Sequence, residues 1–119
     1  VVKRSYGSVK VFWLDSGEAL RRLRQAAGSL LDARPEVLAV YLFGSLAEGR
    51  AVPGSDADIL IVVDRTDRPW TERPLVYAAW FENVGLPVEI FCYTVEEAGR
   101  ISFARRAREG GATLAHREG

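Results

Sequence analysis

The stretch VLAVYLFGSLAEGRAVPGSDADILIVV, Val37 to Val63, decides how this chain is read. Two apolar runs, Val37 to Phe43 and Asp58 to Val63, are rich in β-branched and aromatic residues and lack polar alternation, the pattern of strands buried on both faces. Between them, Gly44 to Asp56 holds three glycines, Pro53 and two serines, a composition that requires turns and close backbone approach. A short helical turn over Leu46 to Glu48 fits inside it. Asp56 and Asp58 stand two residues apart at the mouth of the second strand, so the period of two turns both carboxylates to the same side of the sheet.

Working outward, Pro35 closes a helix expected over residues 16 to 33. There Asp15 and Glu18 resemble a capping box, and Leu20, Leu23, Ala27, Leu30 and Leu31 fall on one face. Upstream, Val9, Val11 and Trp13 alternate with Lys10, Phe12 and Leu14, which permits an early strand. Downstream, Asp64 to Arg73 is charged and read as a solvated connection. Pro74 opens a helix through Asn83 that Gly85 stops. Pro87 to Tyr93 is a third strand, and Thr94 with Glu97 forms a capping box that opens a helix to about Arg108. Gly110 and Gly111 end it, and Ala112 to His116 fits a short last strand. The order, broadly β-α-β-β-α-β-α-β, predicts an α+β fold with a mixed sheet and helices packed mainly on one face.

The whole chain narrows the function classes. At 119 residues it has the size of one domain, with 48% hydrophobic and 27% charged residues, as in soluble globular proteins. Sixteen basic and sixteen acidic residues cancel, so no global field draws it to nucleic acid or to an anionic membrane. No apolar run approaches the roughly 18 residues of a membrane span, and Val1 to Arg4 lack a signal peptide's apolar region, so a cytoplasmic protein is expected. Cys92, the single cysteine, sits in an apolar run and reads as an inert core thiol.

Chemistry converges on the acids. Two close carboxylates raise each other's proton affinity unless a cation lies between them, and magnesium is the natural guess. Glu89, flanked by Val88 and Ile90, is an acid in an apolar strand and needs a partner or a metal. If its strand lies beside Asp56 to Val63, three carboxylates meet in a set suited to two cations at a phosphoryl displacement. Gly44 and Ser45 supply open backbone and a hydroxyl where phosphate oxygens can be held.

The run Phe43 to Val63, with its GSxxxG and SDxD elements, resembles the nucleotidyltransferase superfamily that includes DNA polymerase beta, and most of all its minimal members. LPVEIFCYTVEE, residues 86 to 97, and the glycine-terminated last helix are similar too, so the likeness spans roughly residues 16 to 115. The resemblance implies that Gly44 and Ser45 contact the triphosphate and that Asp56 and Asp58 bind the metals. Glu89, it implies, binds one metal and helps deprotonate the acceptor. Glu89 departs from the aspartate more common in the family. Ser55 is set beside them as a nucleotide-binding candidate. ATP as donor and two magnesium ions follow from the same resemblance, as does in-line attack of an acceptor hydroxyl on the α-phosphorus. So does a HEPN-domain toxin partner, with a homodimer or that partner completing the acceptor pocket. A non-catalytic antitoxin that neutralises its partner by contact is the alternative.

Other groups are set aside. Arg50 reads as a solvated loop arginine and His116 as a surface histidine at the chain end. Trp70 and Trp80 could stack on a base, but core or lid packing explains them more simply. Arg105, Arg106 and Arg108 complement a helix C-terminus. There is no G-x-x-x-x-G-K-[ST] stretch, which sets P-loop kinase chemistry aside.

Overall fold

The computed structural model of the chain describes residues 2–6, 9–13, 16–44, 47 and 56–117, with side chains from residue 17 onward, Phe103 apart. Four strands form the main sheet: β3 (Val37–Phe43), β4 (Ala57–Val63), β5 (Val88–Thr94) and β6 (Ala112–His116), in the order β5-β4-β3-β6. β4 runs parallel to β5, while β3 is antiparallel to both β4 and β6. This is the mixed α+β sheet that the alternation of apolar runs predicts. A separate antiparallel hairpin joins β1 (Val2–Tyr6) to β2 (Val9–Trp13). Only β2 is legible in the sequence, because the β1 segment carries Lys3 and Arg4 without apolar alternation.

β4 is the spine. Six of its seven residues are buried, and only Asp58 is partly open. Ala57, Ile59, Ile61 and Val63 point into one apolar cluster, and Leu60 and Val62 into another on the opposite face. The first cluster is roofed by α1 (Ser16–Ala33), whose Leu23, Ala27 and Leu30 are fully buried at the spacing of one helical face. Asp15, the cap expected for α1, lies outside the described residues, as does most of the turn at Leu46 to Glu48. Tyr77, Phe81 and Val84 close the same face, and Trp80 packs against it.

Two helices differ from their expected extents. In place of one helix from Leu75 to Asn83 there is a short α2 (Arg73–Tyr77) that tightens into a 3-10 turn (Ala78–Phe81). Gly85, with a φ of 90°, turns the chain back toward β5, as a glycine stop should. The helix expected from Thr94 to Arg108 is broken at Ile101, whose extended φ and ψ of −91° and 120° divide α3 (Val95–Arg100) from α4 (Ser102–Gly110). The break has a packing cause. Ala98, Ala104 and Ala107 all bury against the β4 face that carries Leu60 and Val62. On one continuous helix, at about 100° per residue, Ala98 and Ala104 would point roughly 120° apart. An extended Ile101 brings both onto the sheet.

Arg73, read from sequence as part of a solvated connection, is 8% exposed. Its guanidinium reaches Glu97 at 2.7 and 3.4 Å and donates to the carbonyl oxygens of Cys92 (3.3 Å) and Arg68 (3.0 Å). Glu97 also accepts from the Thr94 backbone N–H at 2.8 Å while Thr94 Oγ1 accepts from Glu97 N–H, so the capping box of α3 is formed. One carboxylate thus ties α2, the edge strand β5 and α3 together. Burial pushes the Cys92 thiol up to about 12, as an inert core cysteine requires.

The Arg73 hydrogen bonds, then the Thr94 N–H, hold the Glu97 carboxyl below its ordinary value. A depressed carboxyl contributes stability above its unfolded value near 4.5 and loses it as pH falls through the folded value. Arg73→Ala should therefore cost roughly 2–3 kcal/mol at pH 7, since it leaves a partly buried acid and a strand carbonyl without their donor. Urea denaturation at pH 7 and pH 3 should show the gap to wild type narrowing at the lower pH.

Candidate active site

The register of the parallel pair β4/β5 sets Asp58 directly beside Glu89, with Ala57 beside Val88 and Ile59 beside Ile90. The Ala57 N–H donates to the Pro87 carbonyl at 2.8 Å, which pins this register at the open end of the two strands. Ala57 and Ile59 face α1, so Asp58 and Glu89 both project from the other face, the one shared with Leu60 and Phe91. Asp56 sits one residue ahead of β4 and is exposed. The two-residue spacing and the in-register neighbour thus bring the three acids to one corner of one sheet face.

Gly44 belongs to the same corner. Phe43 pairs with Asp58 across β3/β4, and Gly44 follows it with a φ of 78°. A Cβ at Gly44 would overlap the Asp58 carboxylate oxygen Oδ2. Glycine is therefore required twice, by backbone sign and by contact. The first glycine of GSxxxG and the second aspartate of SDxD are physically one feature. Ser45, Ser55 and Arg50 lie outside the described residues.

The acids repel. Burial, then the charges of Glu89 and Asp56, raise the Asp58 carboxyl above its ordinary value. A cation placed among them would reverse that cost. Among the described residues, no group of three His, Cys, Asp or Glu side chains is gathered closely enough to hold an ion by itself. Oxygen-only donors at an open, carboxylate-rich corner nevertheless fit magnesium, which is commonly held by one or two carboxylates with substrate phosphates completing its shell.

A cleft of about 630 Å³ opens beside Gly44; the described residues lining it include Phe43, Ala47, Ala107 and Gly111 and, of charged groups, Arg106 and Glu109. Sequence reading assigned Arg106 to the helix dipole and missed the cleft, because only the fold brings the end of α4 to Gly44. The signal available was the helical phase, which sets Arg106 next to the buried Ala107. His116 lies exposed on β6, where it pairs with Ala39. Trp80 is partly buried and packs against the core, whereas Trp70 is 59% exposed. Among the described residues, no helix is long and apolar enough to cross a membrane.

At this corner of the α+β sheet a glycine turn lies on an aspartate, beside a second acid on the parallel neighbour strand. Residues 20–111 match the nucleotidyltransferase domain family, and the chain belongs to that family. In fold it is similar to a crystal structure from Sulfolobus solfataricus, provisionally assigned as a nucleotidyltransferase. The TM-score is 0.63 at 21% identity, over 84% of this chain and 90% of that one. No curated protein matches it in sequence.

The Gly44/Asp58 contact has a thermodynamic signature. Gly44→Ala should destabilise by about 2 kcal/mol through left-handed strain and the clash with the carboxylate. In an Asp58→Ala background, where the carboxylate is gone, the same change should cost less by about 1 kcal/mol. Equal costs in both backgrounds, measured by chemical denaturation, would rule the contact out.

Proposed function

We propose that the chain moves a nucleoside monophosphate from a nucleoside triphosphate onto an acceptor hydroxyl, with ATP as donor and Asp56, Asp58 and Glu89 as ligands for magnesium. One observation carries this reading: the β4/β5 register seats Glu89 beside Asp58 while the Gly44 backbone abuts the Asp58 carboxylate. Magnesium, when bound, supplies positive charge against the phosphate oxygens. The side-chain-free backbone at Gly44 lets a phosphate approach, with Ser45 and Ser55 as its hydroxyl partners. Glu89 takes the proton of the acceptor hydroxyl. The acceptor oxygen forms a bond to the α-phosphorus as the bond to the bridging oxygen breaks, and pyrophosphate leaves.

The acceptor we favour is a hydroxyl on a partner protein, a toxin of the HEPN type with this chain as its cytoplasmic antitoxin. The motifs' likeness to minimal nucleotidyltransferases supports it. A second reading, an antitoxin that acts by contact alone, is favoured by the exposure of Glu89 and by the absence, among the described residues, of a ready-made three-acid cluster.

Incubation with magnesium, partner or extract, and ATP labelled at the α- or the γ-phosphate separates these readings. Nucleotidyl transfer leaves α-label on the acceptor. Asp58→Asn, folded as judged by circular dichroism, should lower that labelling on the order of a hundredfold or more. Retention of γ-label alone sinks the proposal, and neutralisation of the partner with no label on it favours contact.

A further inference from the structure

Glu89, Asp58 and Phe43 stand abreast, because Asp58 is the pairing partner of Glu89 on one side and of Phe43 on the other. Neighbouring strands lie about 4.8 Å apart, so this row spans roughly 10 Å across one face of the sheet. Gly44 follows Phe43, and beyond it lies the 630 Å³ cleft beneath the end of α4. The row is directional: a proton-accepting carboxylate stands at one end, a half-buried carboxylate in the middle, and a glycine turn opening into a cleft at the other.

In-line displacement needs acceptor oxygen, phosphorus and leaving oxygen on one line. With the acceptor at Glu89 and the α-phosphorus over Asp58, the leaving group must point past Gly44 into the cleft. The cleft volume lies within the range of sites for small ligands. Among the described residues that line it, Arg106 is the cation. Among the described residues, no ion pair or hydrogen bond engages the Arg106 guanidinium, in contrast to Arg34, which Glu36 holds, and Arg73, which Glu97 holds. Glu109 shares the rim, where it lowers the attraction for an anion. The helix that carries Arg106 is closely seated. A Cβ at Gly111 would overlap the carbonyl oxygens of Leu42 and Ala107, so this glycine lets the end of α4 close against the end of β3.

We infer that Arg106 binds the β- and γ-phosphates of the donor and then the departing pyrophosphate, an inference that rests on the nucleotidyl-transfer reading of the same corner. A guanidinium suits this task, because its fork of N–H groups matches phosphate oxygens and it stays charged at every physiological pH. Arg106 thereby selects triphosphates over monophosphates, whereas the acids serve every nucleotide that carries an α-phosphate.

Calorimetric titration of the full chain with magnesium and ATP, pyrophosphate or AMP tests this apart from turnover. Arg106→Ala should weaken ATP and pyrophosphate on the order of tenfold and leave AMP unchanged, and Arg106→Lys should recover part of the loss. Arg106 is exposed, so thermal melts of both variants should match wild type. Unchanged affinity for ATP, or an equal loss for AMP, overturns the inference. If Asp58→Asn abolishes ATP binding while Arg106→Ala does not alter it, Arg106 alone has been misassigned. If the unaltered chain binds neither ATP nor pyrophosphate, the nucleotidyl-transfer reading falls, and the role of Arg106 falls with it.

Discussion

The parallel pairing of β4 with β5 in one fixed register is the constraint on which the rest depends. A slip of one residue would keep a sheet but send Glu89 to the face covered by α1, into an apolar layer that could not accept it. Two features prevent this. The Ala57 N–H is bonded to the Pro87 carbonyl at the open end, and Val88 and Ile90 pack against the cluster under α1, so a slip of one residue would turn them away and bury the acid. The same pairing that stabilises the core therefore fixes the spacing of the acids. The molecule accepts repulsion there: Asp58 is partly buried beside two like charges, and its carboxyl is raised for that reason.

Around that register the fold keeps one corner open. Gly44 gives up a side chain so that the β3 turn can lie on the Asp58 carboxylate. On the same face, the break at Ile101 re-phases α4 so that Ala104 and Ala107 bury, and the end of the helix is left facing Gly44. Arg73 and Glu97 hold α2, β5 and α3 at the other end of the strands, away from the acids. Stability and chemistry are thus spatially separated along β4, with the bidentate clamp near its end and the repelling carboxylates at its start.

Much of this was legible in the residues. Unbroken apolar runs identify β3 and β4 as doubly buried strands, the periodicity of Leu23, Ala27 and Leu30 identifies α1, and the T-x-x-E pattern identifies the start of α3. β1 was not legible, because a hairpin partner rich in charge carries no periodic signal. Nor was the Ile101 break, because local propensity favours a continuous helix and only the sheet it packs on demands a new phase. Arg73 misled for a related reason: charged residues in a connecting segment are usually solvated, and its bidentate partner is 24 positions away.

The sequence by itself determined which residues could do chemistry, since glycine and carboxylate positions follow from strand period and turn requirements acting over a few neighbours. The tertiary structure alone decided that Asp58 stands beside Glu89, that Gly44 touches Asp58, and that Arg106 shares a cleft with Gly44. Those juxtapositions join positions as many as 62 residues apart in the numbering (44 to 106), and strand pairing and helix packing, not local preference, bring such positions together.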